Sequence, residues 1–588
     1  MLRTHTCGEL RKKDIKEEVK LSGWNHSRRD HGGVIFIDLR DRYGLTQVVF
    51  DPSNDKESHK IAEDLGREDV IQVKGKVRFR GKNLVNPNLD TGEIEVLVDE
   101  VEILSKSETP PIEIDDHKVS GEDVRLKYRY LDLRRPSMTQ NMVLRNKALK
   151  AFSDYFQKNS FLFVQTPMLV KSTPEGARDY VVPSRINKGE FYALPQSPQL
   201  YKQILMISGM DRYYQIAVCL RDEDLRQDRQ PEHTQMDFEM SFATSDDIRE
   251  FTEGMYKYVF KEVLGKEFKK DFPVFTYKEA MDKYGTDKPD IRFDLFLHDV
   301  TGIVAKSDFK VFKSVAEKGG VIKCVVPHKE FSRNELDKYI DFVQKQGAKG
   351  MAWMKVTDKG LESNIAKFFD KKLQKELIRK TGAKPGSVMM FIAGDFKHAN
   401  QILSKLRLKL AEDLDMIPEE EFKFCWVKDF PLFSWNEEED RWDPEHHMFT
   451  MPKPEFLDSI ENNPGEVLGD LWDLTLNGME LGSGSIRVNR PDIQERIMNI
   501  IGYTQEEVEE KFGFLLEAYK YGGPPHGGMG LGFDRTVALM AGTTDIREVI
   551  AFPKNKAAEC PMDGSPSFIS KEQLKELGLE VKKKKKKK

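Results

Sequence analysis

Cysteine is scarce in this chain: Cys7, Cys219, Cys324, Cys425 and Cys560 are the whole supply among 588 residues. The count is odd, the spacing is wide, and neither CxxC nor HxxxH occurs. That excludes a disulfide framework and a structural zinc site. Long apolar runs are also missing. No stretch approaches the roughly 20 residues that a membrane helix needs, and the opening "MLRTHTCGELRKKDIKEE" has no apolar signal core, so no membrane role is expected and the cytoplasm is the expected compartment. Charge of one sign is lacking too, with 93 basic against 98 acidic side chains and a net charge of −5. This balance does not advertise a polyanionic partner, although local basic patches can still hold phosphates. Finally, GxxxxGK[ST] is absent, as is GxGxxG after a parallel strand, so neither a Walker nor a Rossmann nucleotide site is supported.

The chain is too long for one core, and its length suggests about four domains. Residues 1–105 read as all-β: five strand-like runs with turn signals between them, interrupted by the short helical piece "SHKIAEDLG". Five strands and one helix fit a small Greek-key barrel of the OB type. Residues 106–135 begin polar and proline-paired, as a linker does. Residues 136–287 open on an amphipathic helix, "PSMTQNMVLRNKALKAFSDYFQKNSF", with Leu144, Ala148, Phe152, Tyr155 and Phe156 on one stripe, and a strand ending at Pro167. Residues 288–422 mix strands and helices, hold no catalytic constellation, and read as an inserted α+β domain. A strand-like catalytic pattern resumes over 423–560. Residues 561–588 form an extension ending in "VKKKKKKK", a like-charge run expected to be disordered.

Three segments carry chemistry. In "RYYQIAVCLRDEDLRQDRQPEHTQMDFEMSF" (212–242) two strands flank a charged loop, and the second alternates strictly. One face of the hairpin would be apolar, with Met236, Phe238, Met240 and Phe242. The other would carry Arg221, Glu223, Gln235, Asp237 and Glu239. A solvated Arg–carboxylate lattice is the bland explanation of that face, and a ligand floor is the sharp one. In "LWDLTLNGMELGSGSIRV" (471–488), Asn477-Gly478 between apolar strands signals a type I′ hairpin. Such a turn pairs Thr475 with Glu480 and puts Asp473, Thr475 and Glu480 on one face, where two carboxylates could share a divalent cation. Arg487 has the opposite parity and joins that face only through a bulge, which the glycines of "GSGS" permit. In "GGPPHGGMGLGFDRTVALMAG" (522–542), a glycine-rich approach runs into an apolar helix starting near Asp534, with Arg535 at its start. Glycines let a backbone approach a ligand closely, and a helix N-terminus favours an anion. Adjacent His446 and His447 are not spaced as metal ligands.

Taken together, these stretches resemble the three signature motifs of class II aminoacyl-tRNA synthetases. The long helix and the strand to Pro167 look like motif 1, "RDEDLRQDRQPEHTQMDFE" like motif 2 and "GMGLGFDRTVAL" like motif 3. The resemblance is strongest to the bacterial-type aspartyl-tRNA synthetases and runs nearly the whole chain, through "YRYLDLRR", "TPEGARDY", "LPQSPQLYKQ", "HHMFT", "PPHGGMGLGFDR" and "IREVIAFPK". It implies an α+β multidomain fold: an OB-fold anticodon-binding barrel, a catalytic domain around a central antiparallel sheet, and the inserted domain. It implies ATP and Mg2+ as cofactors, tRNA and L-aspartate as partners, and a homodimer built on motif 1. Arg221 would contact the substrate carboxylate and the α-phosphate. Asp222, Glu223 and Gln230 would contact ATP, and Asp237 would hold the substrate ammonium with Glu175. Asp473 and Glu480 would hold magnesium. Arg535 would lie against the adenine and the γ-phosphate end, cradled by Gly532, Phe533 and Asp534. Catalysis would fall to Arg221, Glu223 and Arg535.

One departure is His233, where the family commonly has a Phe that stacks on adenine. An imidazole can also stack, and it brings an expectation of pH sensitivity near neutrality. Specificity follows from charge. A side-chain carboxylate needs cationic donors, which Lys202, Arg487 and His446 would supply, with Ser197 and Gln199 shaping the rest. A lysine pocket would need acids instead, and an asparagine pocket would lack this excess of cations. In the barrel, Phe36 would stack on an anticodon base, with Arg29, Gln47 and Glu93 reading base edges. Relaxed members of the bacterial family resemble this chain at His31 and Gly81. The expectation is therefore an enzyme that charges tRNA(Asp) and also tRNA(Asn). A discriminating enzyme specific for tRNA(Asp) is the alternative, and a non-catalytic tRNA-binding paralogue the remote one.

Overall fold

The computed structural model describes residues 1–173 and 176–582. The chain divides into two compact units, Met1–Arg145 with Arg547–Phe568 and Asn146–Ile546 with Ile569–Lys588.

The first unit is built on five strands: β1 (Glu18–His31), β2 (Val34–Asp41), β3 (Gly44–Phe50), β4 (Val70–Phe79) and β5 (Ile94–Ser105). They close into a barrel in the order β1-β2-β3-β5-β4, with a short helix, Lys56–Glu63, between β3 and β4. The alternation of each strand explains the closure. Ile35, Ile37 and Leu39 of β2 join Val48, Phe50, Ile71, Val73 and Val96 in the buried core. The residues between them face out, and closure removes the exposed edges that an open five-stranded sheet would present. This is the OB-fold expected from the strand pattern.

The second unit is built on an eight-stranded sheet. Its strands are β6 (Leu162–Phe163), β7 (Arg212–Leu220), β8 (Glu232–Ser241), β9 (Val274–Thr276), β10 (Phe424–Lys428), β11 (Leu471–Leu476), β12 (Met479–Ile486) and β13 (His526–Gly532). The order is β9-β10-β11-β12-β13-β8-β7-β6. Only the outer pairs β9/β10 and β6/β7 are parallel; the six central strands run antiparallel. The apolar face of β8 explains where the core lies: Met236, Phe238 and Met240 are buried. Helix α1 (Pro136–Lys158) packs on that side, with Phe156 stacked on Tyr214 at 4.5 Å and Phe152 edge-on to Tyr256 at 5.6 Å.

The α1 stripe therefore does not offer the dimer surface expected of it. Ala148, Phe152 and Phe156 are buried within the unit. Burial of an aromatic stripe against the core sheet outweighs leaving it for a second chain. The apolar surface left exposed by motif 1 lies further on, at Leu162, Phe163, Met168 and Leu169.

Between β9 and β10 the chain builds a separate five-stranded antiparallel sheet, Val321–Val325 and Val388–Gly394 at its centre, with one apolar cluster on each side. Its root is tied by Arg407, which is buried and donates to the backbone carbonyls of Asp290, Phe293 and Leu295 at 2.5 to 3.0 Å.

Candidate active site

Sheet register sets the site. Gln215 of β7, Asp237 of β8, Gly530 of β13, Ser483 of β12 and Asp473 of β11 stand opposite one another in one transverse row. Glu239, Gly528 and Ser485 form the row beside it. Residues directly opposite share a face, so these polar side chains occupy one side of the sheet and the aromatic core the other. After His526, β13 carries glycine at 528, 530 and 532 on this face, and at Gly528 and Gly530 the reason is steric. A Cβ at Gly530 would sit 1.7 Å from Gln235 Nε2, and one at Gly528 would sit 2.3 Å from Glu239 Oε2. The side chains of β8 lie across β13.

The Asn477-Gly478 turn forms as the sequence predicts, both residues with positive φ and Thr475 opposite Glu480. The pairing then jumps, with Leu474 opposite Gly482, so Leu481 is an extra residue. This bulge precedes "GSGS" rather than lying within it. It reverses the parity of β12, bringing Ser483, Ser485 and Arg487 to the face of Glu480.

A cavity of about 220 Å³ opens on this face. Ser197, Gln199 and Lys202 line it from helix α2 (Gln199–Ile207) and the residues before it, Arg221, Glu223, Gln230, His233 and Asp237 from the β7–β8 hairpin, and Glu480 and Arg487 from β12 and its exit. Gly532, Asp534 and Arg535 close it, at the start of helix α3 (Phe533–Met540). Gln199 Nε2 is buried without a hydrogen-bond partner, a donor available to a ligand. Four of the residues named from the sequence lie off this wall. Asp222 pairs with Arg178 at 3.5 Å. Phe533 is buried, edge-on to Phe152. His446 and Asp473 pair with each other at 3.3 Å. Glu175 lies outside the described residues.

The hairpin face is not a solvated lattice, because Asp237 and Glu239 are 1% and 0% exposed. Lys202 Nζ lies 2.6 Å from Asp237 and 3.2 Å from Glu239. Arg487 Nε donates to Glu239 at 2.8 Å, and its Nη1 meets Ser485 Oγ at 2.7 Å and His447 Nε2 at 2.8 Å. Two buried cations are thus held by two buried acids. The acids respond differently. Burial raises the Asp237 carboxyl above its usual range. Burial acts the same way on Glu239, but Arg487 and Lys202 outweigh it and hold that carboxyl below its usual value. His447 is driven well below the imidazole range by burial and by Arg487, so it meets the guanidinium as a neutral acceptor.

A second cluster lies along β11 and β12. Glu480 accepts from Ser483 Oγ at 3.2 Å and pairs with Lys288 Nζ at 2.6 Å. Burial favours its neutral form, but Lys288 and Arg535 prevail and pull the carboxyl down to about 2. Asp473 is buried and its Oδ1 accepts no hydrogen bond. Among the described residues no three His, Cys, Asp or Glu stand together as a metal cluster.

Sequence reasoning passed over four side chains here. Glu239 was visible only as one more polar residue on the face. His447 is separated from His446 by parity alone. Lys288 and Asp228, the latter 3.2 Å from Arg535, carry no motif signal.

The His233 expectation needs correcting. Burial, then the nearby Arg221 and Arg535, push its imidazole down to about 3. It is neutral across the physiological range. His233→Phe is accordingly expected to leave the pH profile of the KM for ATP parallel to the wild-type profile between about pH 6 and 8. A wild-type inflection near 6.5 that the variant lacks would show that the ring titrates after all.

On the barrel, Arg29 and Phe36 stand opposite each other, as do Asp38 and Gln47, all facing away from the core. Arg29 forks onto Asp38 at 2.7 and 2.9 Å and reaches Gln47 at 3.2 Å. His31 lies edge-on to Phe36 at 6.0 Å. Glu93 pairs with Lys12. Gly81 has a φ of +98° with open space around it, a conformation that itself demands glycine.

Residues 121–556 match the family "tRNA synthetases class II (D, K and N)", and residues 19–104 match the "OB-fold nucleic acid binding domain". The "Aspartate--tRNA(Asp/Asn) ligase" of Desulfatibacillum aliphaticivorans is 51% identical over 99% of this chain and 98% of its own. That of Bacillus subtilis is 51% identical over 99% of each. The "Aspartate--tRNA ligase" of Bacillus licheniformis is 49% identical, again over 99% of each. A solved asparaginyl-tRNA synthetase from Pyrococcus horikoshii, complexed with asparaginyl-adenylate, shares the fold with a TM-score of 0.58, 20% identity and coverage of 94% of this chain and 98% of that one. The chain belongs to the class II tRNA synthetases of the D, K and N group and, within them, to the aspartate–tRNA ligases.

Proposed function

We propose that the chain activates L-aspartate with ATP to aspartyl-adenylate and transfers it to the terminal ribose of tRNA(Asp) and tRNA(Asn) in the cytoplasm. The observation that carries the amino-acid choice is the buried pair Lys202 and Arg487 in the wall of a cavity that also presents Arg221 and Arg535. An acid side chain can accept from both cations; a lysine would bring a further positive charge against them, and a neutral amide would offer a single acceptor oxygen.

In the first step the aspartate carboxylate attacks the α-phosphorus in line, and pyrophosphate leaves. Transfers of this kind depend on positioning and charge neutralisation more than on a side-chain base. Arg221 meets the carboxylate and α-phosphate, and Glu223, Gln230 and His233 seat the nucleotide. Gln199 orients the substrate, Asp237 takes its ammonium, and Arg535 takes the far phosphate end. Asp473 and Glu480 would hold magnesium, which suits one or two carboxylates completed by substrate phosphates; Asp473 Oδ1, which accepts no hydrogen bond and has His446 Nε2 3.3 Å away, fits that role. Bound there, the ion would neutralise phosphate charge.

Exchange of labelled pyrophosphate into ATP, run with each amino acid in turn, tests the first step, and absence of exchange with aspartate defeats this reading. The tRNA choice is tested separately with purified tRNA(Asn). The two anticodons differ only at the third base, C against U. Gly81 is already required by its backbone, so His31, packed against Phe36, carries the relaxed reading. Charging of tRNA(Asn) at a rate comparable to tRNA(Asp) is expected. A rate orders of magnitude lower would make this a discriminating enzyme.

We also read the protein as a homodimer joined at the β6 edge, where Leu162, Phe163 and Leu169 are each about half exposed. Sedimentation at micromolar concentration should give twice the chain mass of 67.9 kDa. A single-chain mass rejects the dimer.

A further inference from the structure

Lys288 belongs to none of the signature segments. It sits in the short connection between the helix Tyr277–Tyr284 and the inserted sheet. Yet this connection is held on every side. Asp290 grips Arg292 at 2.6 Å through its side chain and accepts from Arg407 at 2.9 Å through its carbonyl. The Asn477-Gly478 turn packs against it, so closely that a Cβ at Gly478 would lie 3.2 Å from Asp290 Cβ. Thr286 Oγ1 accepts from the Lys288 backbone N–H at 3.1 Å. A segment so pinned presents its one ammonium in a set place, 2.6 Å from Glu480 Oε2.

The two carboxylates of the cluster differ in this respect. Glu480 has protein partners on both oxygens, Lys288 on one and Ser483 on the other. Asp473 Oδ1 accepts no hydrogen bond and has His446 Nε2 3.3 Å away. A divalent ion that takes Glu480 through Oε2, alone or with both oxygens, must take that oxygen from Lys288. The pair is built to yield, since the side chains of Lys288 and Glu480 are 38% and 22% exposed. Water can reach both groups as they separate, whereas opening a sealed ion pair would leave two buried charges bare.

We propose that Lys288 is the resident counter-cation of Glu480, a positioning residue that a divalent ion must displace, so that the ion binds well only together with a nucleotide whose phosphates give the released ammonium a new partner. This rests on the reading of Asp473 and Glu480 as the magnesium carboxylates. It also gives the root of the inserted domain a part in the first step, by the same chain segment that Arg407 anchors.

Binding of Mn2+ to the full-length enzyme without nucleotide, read from the spectrum of free Mn2+, tests this independently of activity. Lys288→Met is expected to bind Mn2+ about tenfold more tightly than wild type, the size of an ordinary coupling between competing ligands. With a non-hydrolysable ATP analogue present the advantage should vanish. Lys288→Arg should behave as wild type, and Lys288→Met placed on Glu480→Gln should change nothing further. Equal or weaker Mn2+ binding by a folded Lys288→Met enzyme overturns the proposal. Absence of Mn2+ binding in every form, with nucleotide or without, overturns the assignment of the carboxylates themselves.

Discussion

Arg221→Ala is expected to slow adenylate formation about a hundred- to thousandfold while leaving the fold intact. Arg221 directly follows strand β7, and its backbone N–H bonds the Pro231 carbonyl at 2.8 Å, closing the hairpin whichever side chain is present. The side chain contributes little to that closure: its Nε donates a long 3.4 Å hydrogen bond to the Gln196 carbonyl. What it does is face the cavity. Removing a donor placed for charge that develops in a transition state costs about 3 kcal/mol, or about a hundred- to thousandfold in rate. Stability should change by less than about 1 kcal/mol, as for substitutions away from the core. Arg221→Lys should recover only part of the rate, because an ammonium cannot make the bidentate contact of a guanidinium. The check is pyrophosphate exchange with aspartate beside a melting curve. Near-normal exchange in the alanine variant removes Arg221 from the site.

How much of this was legible in the sequence depends on the range of the interaction. The barrel and the two hairpins were readable because their signals are local: alternation in β8, and Asn477-Gly478 between apolar strands. Even the conditional argument for Arg487 was sound, since parity alone said a bulge was needed. What parity could not say was where, and the extra residue proved to be Leu481. The stripe on α1 was equally plain as a stripe, but periodicity does not name the surface that covers it; stacking of Phe156 on Tyr214 answers that only in three dimensions. His446 and His447 show the same limit at the scale of one residue. A shift of one position separates the imidazole that meets Asp473 from the one that meets Arg487. Lys288 lies 192 positions from Glu480 and in a segment without a motif, so nothing local could have joined them. His233 failed for a different reason: burial and the nearby Arg221 and Arg535 deprive the ring of its ordinary titration, and no one-dimensional pattern records such neighbours.

Glu239→Ala should damage both stability and aspartate recognition. Glu239 is fully buried and serves two cations, with Arg487 Nε at 2.8 Å and Lys202 Nζ at 3.2 Å. In the wild type the two cations are matched by Asp237 and Glu239. Without Glu239 they share Asp237 alone, which of the two cations bonds Lys202, and Arg487 keeps the neutral partners Ser485, His447 and the Gly528 carbonyl. Breaking a buried pair by removing one member costs about 3–5 kcal/mol, because a charge is left buried and uncompensated. A lower urea midpoint for the unit containing the eight-stranded sheet should report it. Acid behaviour gives an independent sign. The folded Glu239 carboxyl titrates below its ordinary 4.5, so its stabilisation is present above that value and is lost as the pH falls through the folded value. The alanine variant has none to lose, and its stability should decline less than the wild type's from about pH 5 to about pH 3. In catalysis the KM for aspartate should rise far more than the KM for ATP, since Lys202 and Arg487 lose the anchor that orients them while Arg221 and Arg535, the residues proposed to meet the nucleotide, are untouched. Glu239→Gln, which keeps the shape but not the charge, should fall between the two. A variant with wild-type aspartate KM and an unchanged acid profile would show that the two cations are held in place without Glu239.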